Sequence, residues 1–137
     1  MVSEQGFKRV RGALTEGRYL TFEQSGYALT DAGNGKLTVT KASTGHQSKS
    51  HRFLLHQADA NVNQYTISSA LDDKYISSSS SLVASKSTAA VFTISDLANG
   101  NGYALSVGGK SWSFGDGQVK EQNGVSGGIE IFSVTYS

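Results

Sequence analysis

The chain has 137 residues, a formal net charge of +1, 37% hydrophobic residues, sixteen glycines, no cysteine and no proline. That length suits one domain with a single buried core, and the near-neutral charge argues against a large electrostatic footprint for nucleic acid or an anionic membrane. Without cysteine there is no disulfide framework and no thiolate chemistry, and no apolar run approaches the roughly 20 residues of a spanning helix.

The opening Met1-Val2-Ser3-Glu4-Gln5 lacks the basic and apolar regions of a signal peptide. The reading is a protein acting where it is made, or a module of a longer chain, extracellular if that chain is secreted. Gly6-Phe7-Lys8-Arg9-Val10-Arg11 reads as a first strand, and the cations Lys8, Arg9, Arg11 and Arg18 read as surface solubility. Next come Arg18-Tyr19-Leu20-Thr21, Lys36-Leu37-Thr38-Val39, Arg52-Phe53-Leu54-Leu55 and Gln64-Tyr65-Thr66-Ile67. Then follow Lys74-Tyr75-Ile76-Ser77, Ser81-Leu82-Val83-Ala84, Val91-Phe92-Thr93-Ile94 and Gly102-Tyr103-Ala104-Leu105. Lys110-Ser111-Trp112-Ser113, Gly117-Gln118-Val119-Lys120 and Ile131-Phe132-Ser133-Val134 complete the series. Most alternate apolar with polar, as half-buried strands do. Asn34-Gly35, Asn99-Gly100, Asn101-Gly102, Asp116-Gly117 and Asn123-Gly124 supply turn signals between them. Loops 24–35 and 41–50 are expected to protrude, and 77–81 to be a serine-rich hairpin turn.

Spacing turns these strands into a repeat. Phe53 to Phe92 spans 39 positions and Phe92 to Phe132 spans 40. A fixed period of this length marks a repeat architecture. The third unit lacks a fourth strand, and Gly6-Phe7 shares the glycine-aromatic opening of Gly102-Tyr103, so the N-terminal strand is expected to close it. Closure also removes unpaired edges. The expectation is an all-β β-trefoil: three units of four strands, at about 13–70, 71–108 and 109–137 plus 1–12, in one domain 1–137. Tyr19, Leu20, Leu37, Val39, Phe53, Leu55, Tyr65, Ile67, Tyr75, Ile76, Leu82, Phe92, Ile94, Tyr103, Leu105, Trp112, Phe132 and Val134 are expected in the core.

The openings Gly17-Arg18-Tyr19-Leu20 and Asp73-Lys74-Tyr75-Ile76 resemble those of fascin-like and ricin-type trefoils, although the Gln-x-Trp signature of the ricin type is missing. The stretch from Tyr75-Ile76-Ser77 through Phe92-Thr93-Ile94-Ser95-Asp96-Leu97 to Phe132-Ser133-Val134-Thr135-Tyr136 also looks like C-terminal modules of secreted fungal hydrolases, particularly phospholipase C-type phosphoesterases.

Catalytic and metal motifs fail on context. Ala104 to Ser111 fits a relaxed phosphate-loop pattern, but Trp112-Ser113-Phe114-Gly115 reads as a strand where a helix is needed. Asp59-Ala60-Asn61-Val62-Asn63 opens like a calcium loop, yet Gln64 and Ala70 stand where glycine and glutamate are required. His46, His51 and His56 do not converge as zinc requires and read as exposed loop and strand-end histidines. Asp72-Asp73 read as solvated turn charges, and no Gly-x-Ser-x-Gly elbow is present. The expectation is therefore no enzyme, no cofactor and no metal.

What remains is binding by loops on a rigid scaffold. In the trefoils that this chain resembles, sugar sites pair an aromatic face with Asp, Asn or Gln. Asp59, Asn61 and Asn63 in one loop, Asp96, Asn99 and Asn101 in the next, and Tyr27 as an exposed stacking ring are the candidate glycan-binding residues. The partner expected is a glycan or cell-wall polysaccharide, met by a monomer; a fascin-like actin or protein surface and a trefoil protease inhibitor are the alternatives. Neither nucleic acid nor membrane insertion is expected.

Overall fold

The structure is a computed structural model and describes residues 6–10, 14, 17–41, 49–59, 63–77, 81–98, 100–115, 118–124 and 128–135. Among the described residues thirteen strands carry the fold: β1 (Gly6–Arg9), β2 (Leu20–Gln24), β3 (Tyr27–Asp31), β4 (Leu37–Lys41), β5 (Phe53–Asp59), β6 (Gln64–Ser69) and β7 (Tyr75–Ile76), then β8 (Leu82–Val83), β9 (Phe92–Asp96), β10 (Tyr103–Val107), β11 (Lys110–Gly115), β12 (Gln118–Gln122) and β13 (Glu130–Thr135). The only helical turns among the described residues are two short 3-10 turns, Lys49–His51 and Lys86–Thr88.

All pairing is antiparallel, in one sheet with the order β1-β13-β2-β5-β6-β9-β10-β11-β12. β3 joins β2 to β4, and β7 joins β6 to β8. The sheet owes its register to which residues are apolar on alternate positions. Leu55 faces Ile67, Ile94 faces Leu105 and Ile131 faces Phe22, and all six side chains are buried. Slipping any of these strands by one residue would send its apolar set to water. A further bridge links β10 to the approach of β13: Tyr103 and Ile129 exchange both backbone hydrogen bonds at 2.8 Å.

The inward side chains form one cluster. Phe22 and Phe53 meet edge to face at 6.0 Å, and Phe92 and Trp112 do so at 4.8 Å. Burying each such ring contributes about 1.5–3 kcal/mol, so the aromatic set is a large share of the driving force. Gln24 ties the far strands to this core. Its Oε1 accepts the Phe114 amide at 2.7 Å and its Nε2 donates to the Gly128 carbonyl at 3.4 Å.

Several expectations need correcting. Tyr19 is 40% exposed, and the ring buried in its neighbourhood is Phe22. Tyr75 is half-buried on a two-residue strand. Phe132 is half-buried too, because the inward set of its strand is Ile131 and Ser133, continuing from Ile129. The aromatic anchor was one residue out of phase, and that moves it to the other face. The side chain of Val134 lies outside the described residues.

Loop 24–35 does not simply protrude. Ser25 and Gly26 both have positive φ, 52° and 83°, the backbone that a two-residue primed turn requires. The chain therefore doubles back at once into β3, whose Ala28 and Leu29 are fully buried. Loop 41–50 falls largely outside the described residues. The N-terminal strand β1 pairs with β13 over four positions, Gly6↔Thr135 to Arg9↔Phe132, while β2 takes the pairing with Ser133 to Glu130. β13 is thus flanked by two strands from the start of the sequence.

Candidate functional site

The β9–β10 connection has a backbone fixed by its own polar groups. Asp96 ends β9 and its Oδ1 accepts the Ala98 amide at 2.8 Å, an Asx turn. Ala98 adopts φ 67°, after which the Asn101 amide donates to the Ala98 carbonyl at 3.0 Å and the Leu97 amide donates to Gly102 at 2.9 Å. The loop then lies backbone to backbone on the approach to β13. A Cβ at Gly128 would collide with the Asn101 carbonyl, and one at Gly102 would sit 2.7 Å from the Ile129 carbonyl oxygen. Glycine is what permits this approach. Asp96 and Asn101 are exposed.

The β5–β6 connection ends beside the strand from which that loop springs. The Asn63 carbonyl accepts the Ile94 amide at 2.9 Å, and Asn63 is exposed. Asp59 closes β5 opposite Gln64, after a register shift. So Asn63 and Asp96 belong to neighbouring strand ends, although 33 residues separate them in sequence. Asn61, Asn99 and the side chain of Asp59 lie outside the described residues. Tyr27 was expected as an exposed stacking ring and is half-exposed. It opens β3 opposite Gln24 and Lys41, and is half-buried against the core.

Charged groups that the sequence did not single out surround the second loop. Arg9 reaches from β1 to pair with Glu130 at 3.3 Å, and it donates to the Gly100 carbonyl, 91 residues away in sequence. Glu130 stands opposite Glu23 across the β13–β2 ladder. Burial, and then the Glu130 charge, push the Glu23 carboxyl above its ordinary range. The Tyr103 hydroxyl is also raised, first by burial and then by Asp96, with Arg9 opposing. Arg9 was read as a surface cation; its role became visible only once β1 was paired with β13.

The rejected motifs also have places. Gly108 and Gly109 form the hairpin turn between β10 and β11, so the phosphate-like sequence joins two strands. His51 is buried, correcting its reading as an exposed histidine. Its Nε2 lies 3.0 Å from Thr40 Oγ1, which lies 2.8 Å from Thr30 Oγ1, which in turn donates to the Ala28 carbonyl. That chain of donors directs the Thr40 proton to Thr30, so His51 donates from Nε2. His56 bonds Ser68 at 2.8 Å and stacks obliquely on Tyr75. Among the described residues no three metal-ligating side chains gather, and no helix is long and apolar enough to cross a membrane. Asp72 and Asp73 part ways: Asp73 is exposed, whereas Asp72 turns inward, against the expectation of two solvated charges. No protein-family model matches this chain, and no curated protein matches its sequence.

Proposed function

We propose that the chain is a β-trefoil serving as a non-catalytic module that binds carbohydrate through the adjoining loops at Asn63 and at Asp96–Asn101. The fold reading is supported by three equivalent buried pairs (Leu55↔Ile67, Ile94↔Leu105, Ile131↔Phe22). Three hairpins, β3–β4, β7–β8 and β11–β12, recur between them. The Tyr103↔Ile129 bridge brings β10 back to β13, which is what a closed ring of β2, β5, β6, β9, β10 and β13 needs. In this ring β2 is the closing strand and β1 an added one.

The binding reading is carried by one observation: the Asn63–Ile94 hydrogen bond sets the exposed Asn63, just before β6, beside β9, whose end carries the exposed Asp96. Preorganised amides and carboxylates orient sugar hydroxyls at little entropic cost. With Tyr27 packed inward, recognition rests on polar contacts, which suits weak binding of extended polysaccharide. The module would act as a monomer, alone or as an accessory domain of a secreted hydrolase. A glycan array with cell-wall polysaccharide pull-down tests this, with actin co-sedimentation and protease inhibition alongside. Replacing Asp96 and Asn63 by Ala should weaken the sugar about tenfold or more and leave the melting temperature nearly unchanged. If no sugar binds at millimolar concentration while actin or a protease does, the reading fails.

A further inference from the structure

The Asp96–Asn101 loop is held at its base by its own hairpin and at its tip by a strand from the start of the chain. At the base, the Leu97 amide donates to the Gly102 carbonyl at 2.9 Å, and Tyr103 pairs with Ile129. At the tip, the Gly100 carbonyl accepts a hydrogen bond from Arg9 Nη2. Gly100 adopts φ 74° and immediately precedes the exposed Asn101.

Strand pairing dictates where Arg9 can reach. It stands opposite Phe132, and Val10 continues the ladder by donating its amide to the Ile131 carbonyl at 2.8 Å. Glu130 lies two residues from Phe132 on β13, hence on the same face as the Arg9 side chain. The two charges meet there, Nη2 to Oε2, at 3.3 Å. One nitrogen therefore serves both acceptors, and its two hydrogens suffice for that. The strand that carries Arg9 ends the sheet order, with β13 as its one strand partner among the described residues.

We propose that Arg9 is a positioning residue for this loop: β1 is a strap whose guanidinium fixes the Gly100 peptide and thereby the reach of Asp96 and Asn101 toward a ligand. The ligand is the carbohydrate of the reading above, on which this half rests; the strap itself does not depend on it. A loop tip fixed in advance loses less conformational freedom on binding. A hydrogen bond from a charged donor is roughly twice as strong as a neutral one, which suits an anchor that is itself half-buried. Without Arg9 the tip keeps its local turn bonds at Ala98 but loses its tie to β1.

Native-state hydrogen exchange on Arg9→Met tests the strap with no ligand present. The Leu97 and Asn101 amides, both bonded inside the loop, should exchange about fivefold faster or more. The Leu82 and Ala90 amides, bonded to Gly35 and Ile76, should stay within about twofold of the wild type. Equal acceleration at all four would make Arg9 a merely structural residue and overturn the proposal, as would unchanged exchange at Leu97 and Asn101. Nitrogen-detected NMR of the wild-type guanidinium does not depend on the variant folding. A held Nη2 should give two resolved Nη resonances for Arg9; one averaged resonance overturns the anchor. Retention on insoluble cell-wall polysaccharide then separates the strap from the carbohydrate reading. Where the wild type is retained, Arg9→Met should bind about threefold more weakly or worse. Undiminished retention overturns the part of the strap in binding and leaves the carbohydrate reading standing. If the wild type is not retained, the carbohydrate reading fails and the exchange rates decide the strap by themselves.

Discussion

Glu23 and Glu130 stand opposite each other on paired strands, whereas Asp31 ends β3 and Asp72 lies in the β6–β7 connection, where the charge of Asp31 still acts on it. Both arrangements bring like charges together in a protein with only eleven acidic residues. Glu130 is 42% exposed and a cation from another strand, Arg9, pairs with it at 3.3 Å, while Glu23 keeps one carboxylate oxygen shut off from water. Asp31 is instead buried and held by the Ser69 hydroxyl and the Gly33 amide, and Lys74 is the cation that opposes the rise of the Asp72 carboxyl. The two pairs therefore differ in what one partner meets, a cation for Glu130 and neutral donors for Asp31.

The sharpest break of this comparison is Asp31→Ala. It leaves the Ser69 hydroxyl and the Gly33 amide without their shared partner. We expect a loss of about 2–3 kcal/mol in urea unfolding at pH 5; a loss below about 0.5 kcal/mol would mean that Asp31 is not the hub described. A smaller effect of opposite sign is expected at the glutamates. The raised Glu23 carboxyl costs stability once it is ionised, so Glu23→Gln should match the wild type near pH 4 and exceed it near pH 7. Partial exposure screens this to about 0.5 kcal/mol. An offset independent of pH would show that the Glu23 carboxyl is not raised in the folded protein. Smallest is Arg9→Gln. It should cost about 0.3 kcal/mol at low ionic strength and almost nothing in 1 M salt, as half-exposed ion pairs do. A penalty that survives high salt would locate the value of Arg9 in its bond to Gly100 instead.

Much of the fold could be read from alternation alone. Leu37-Thr38-Val39, Tyr65-Thr66-Ile67 and Phe92-Thr93-Ile94 each became the strand expected, with the apolar members buried. Phase was harder. Ile129, Glu130, Ile131 and Phe132 offer two ways to alternate, and ring size favoured the wrong one. β3 was hidden because its run is short and begins after Ser25-Gly26, a turn signal weaker than Asn-Gly. In the candidate site, composition marked Asp96, Asn101 and Asn63 as loop residues, and all three are exposed. It could not mark Arg9, Glu130 or the Asp31–Ser69 hydrogen bond. Those depend on the pairing of β1 with β13 and on the end of β6 lying beside the end of β3, neither of which has a local signature.

The position of β13 bears on how the chain reaches this state. Its neighbours are β1 and β2, and the Val10 amide donates to the Ile131 carbonyl at 2.8 Å. Gln24 likewise waits for Phe114 and Gly128, 90 and 104 residues further on. The entropy of closing such long loops is lost before any of these contacts forms. The β5–β6, β9–β10 and β11–β12 hairpins can assemble early from near neighbours, while β2 stays without its β13 partner until residues 130–133 arrive. Folding is therefore set by a late docking event and belongs with the slow, non-local β topologies. The same feature protects the finished protein: unzipping β13 must break both of its flanking ladders together, so the barrier that delays assembly also delays escape.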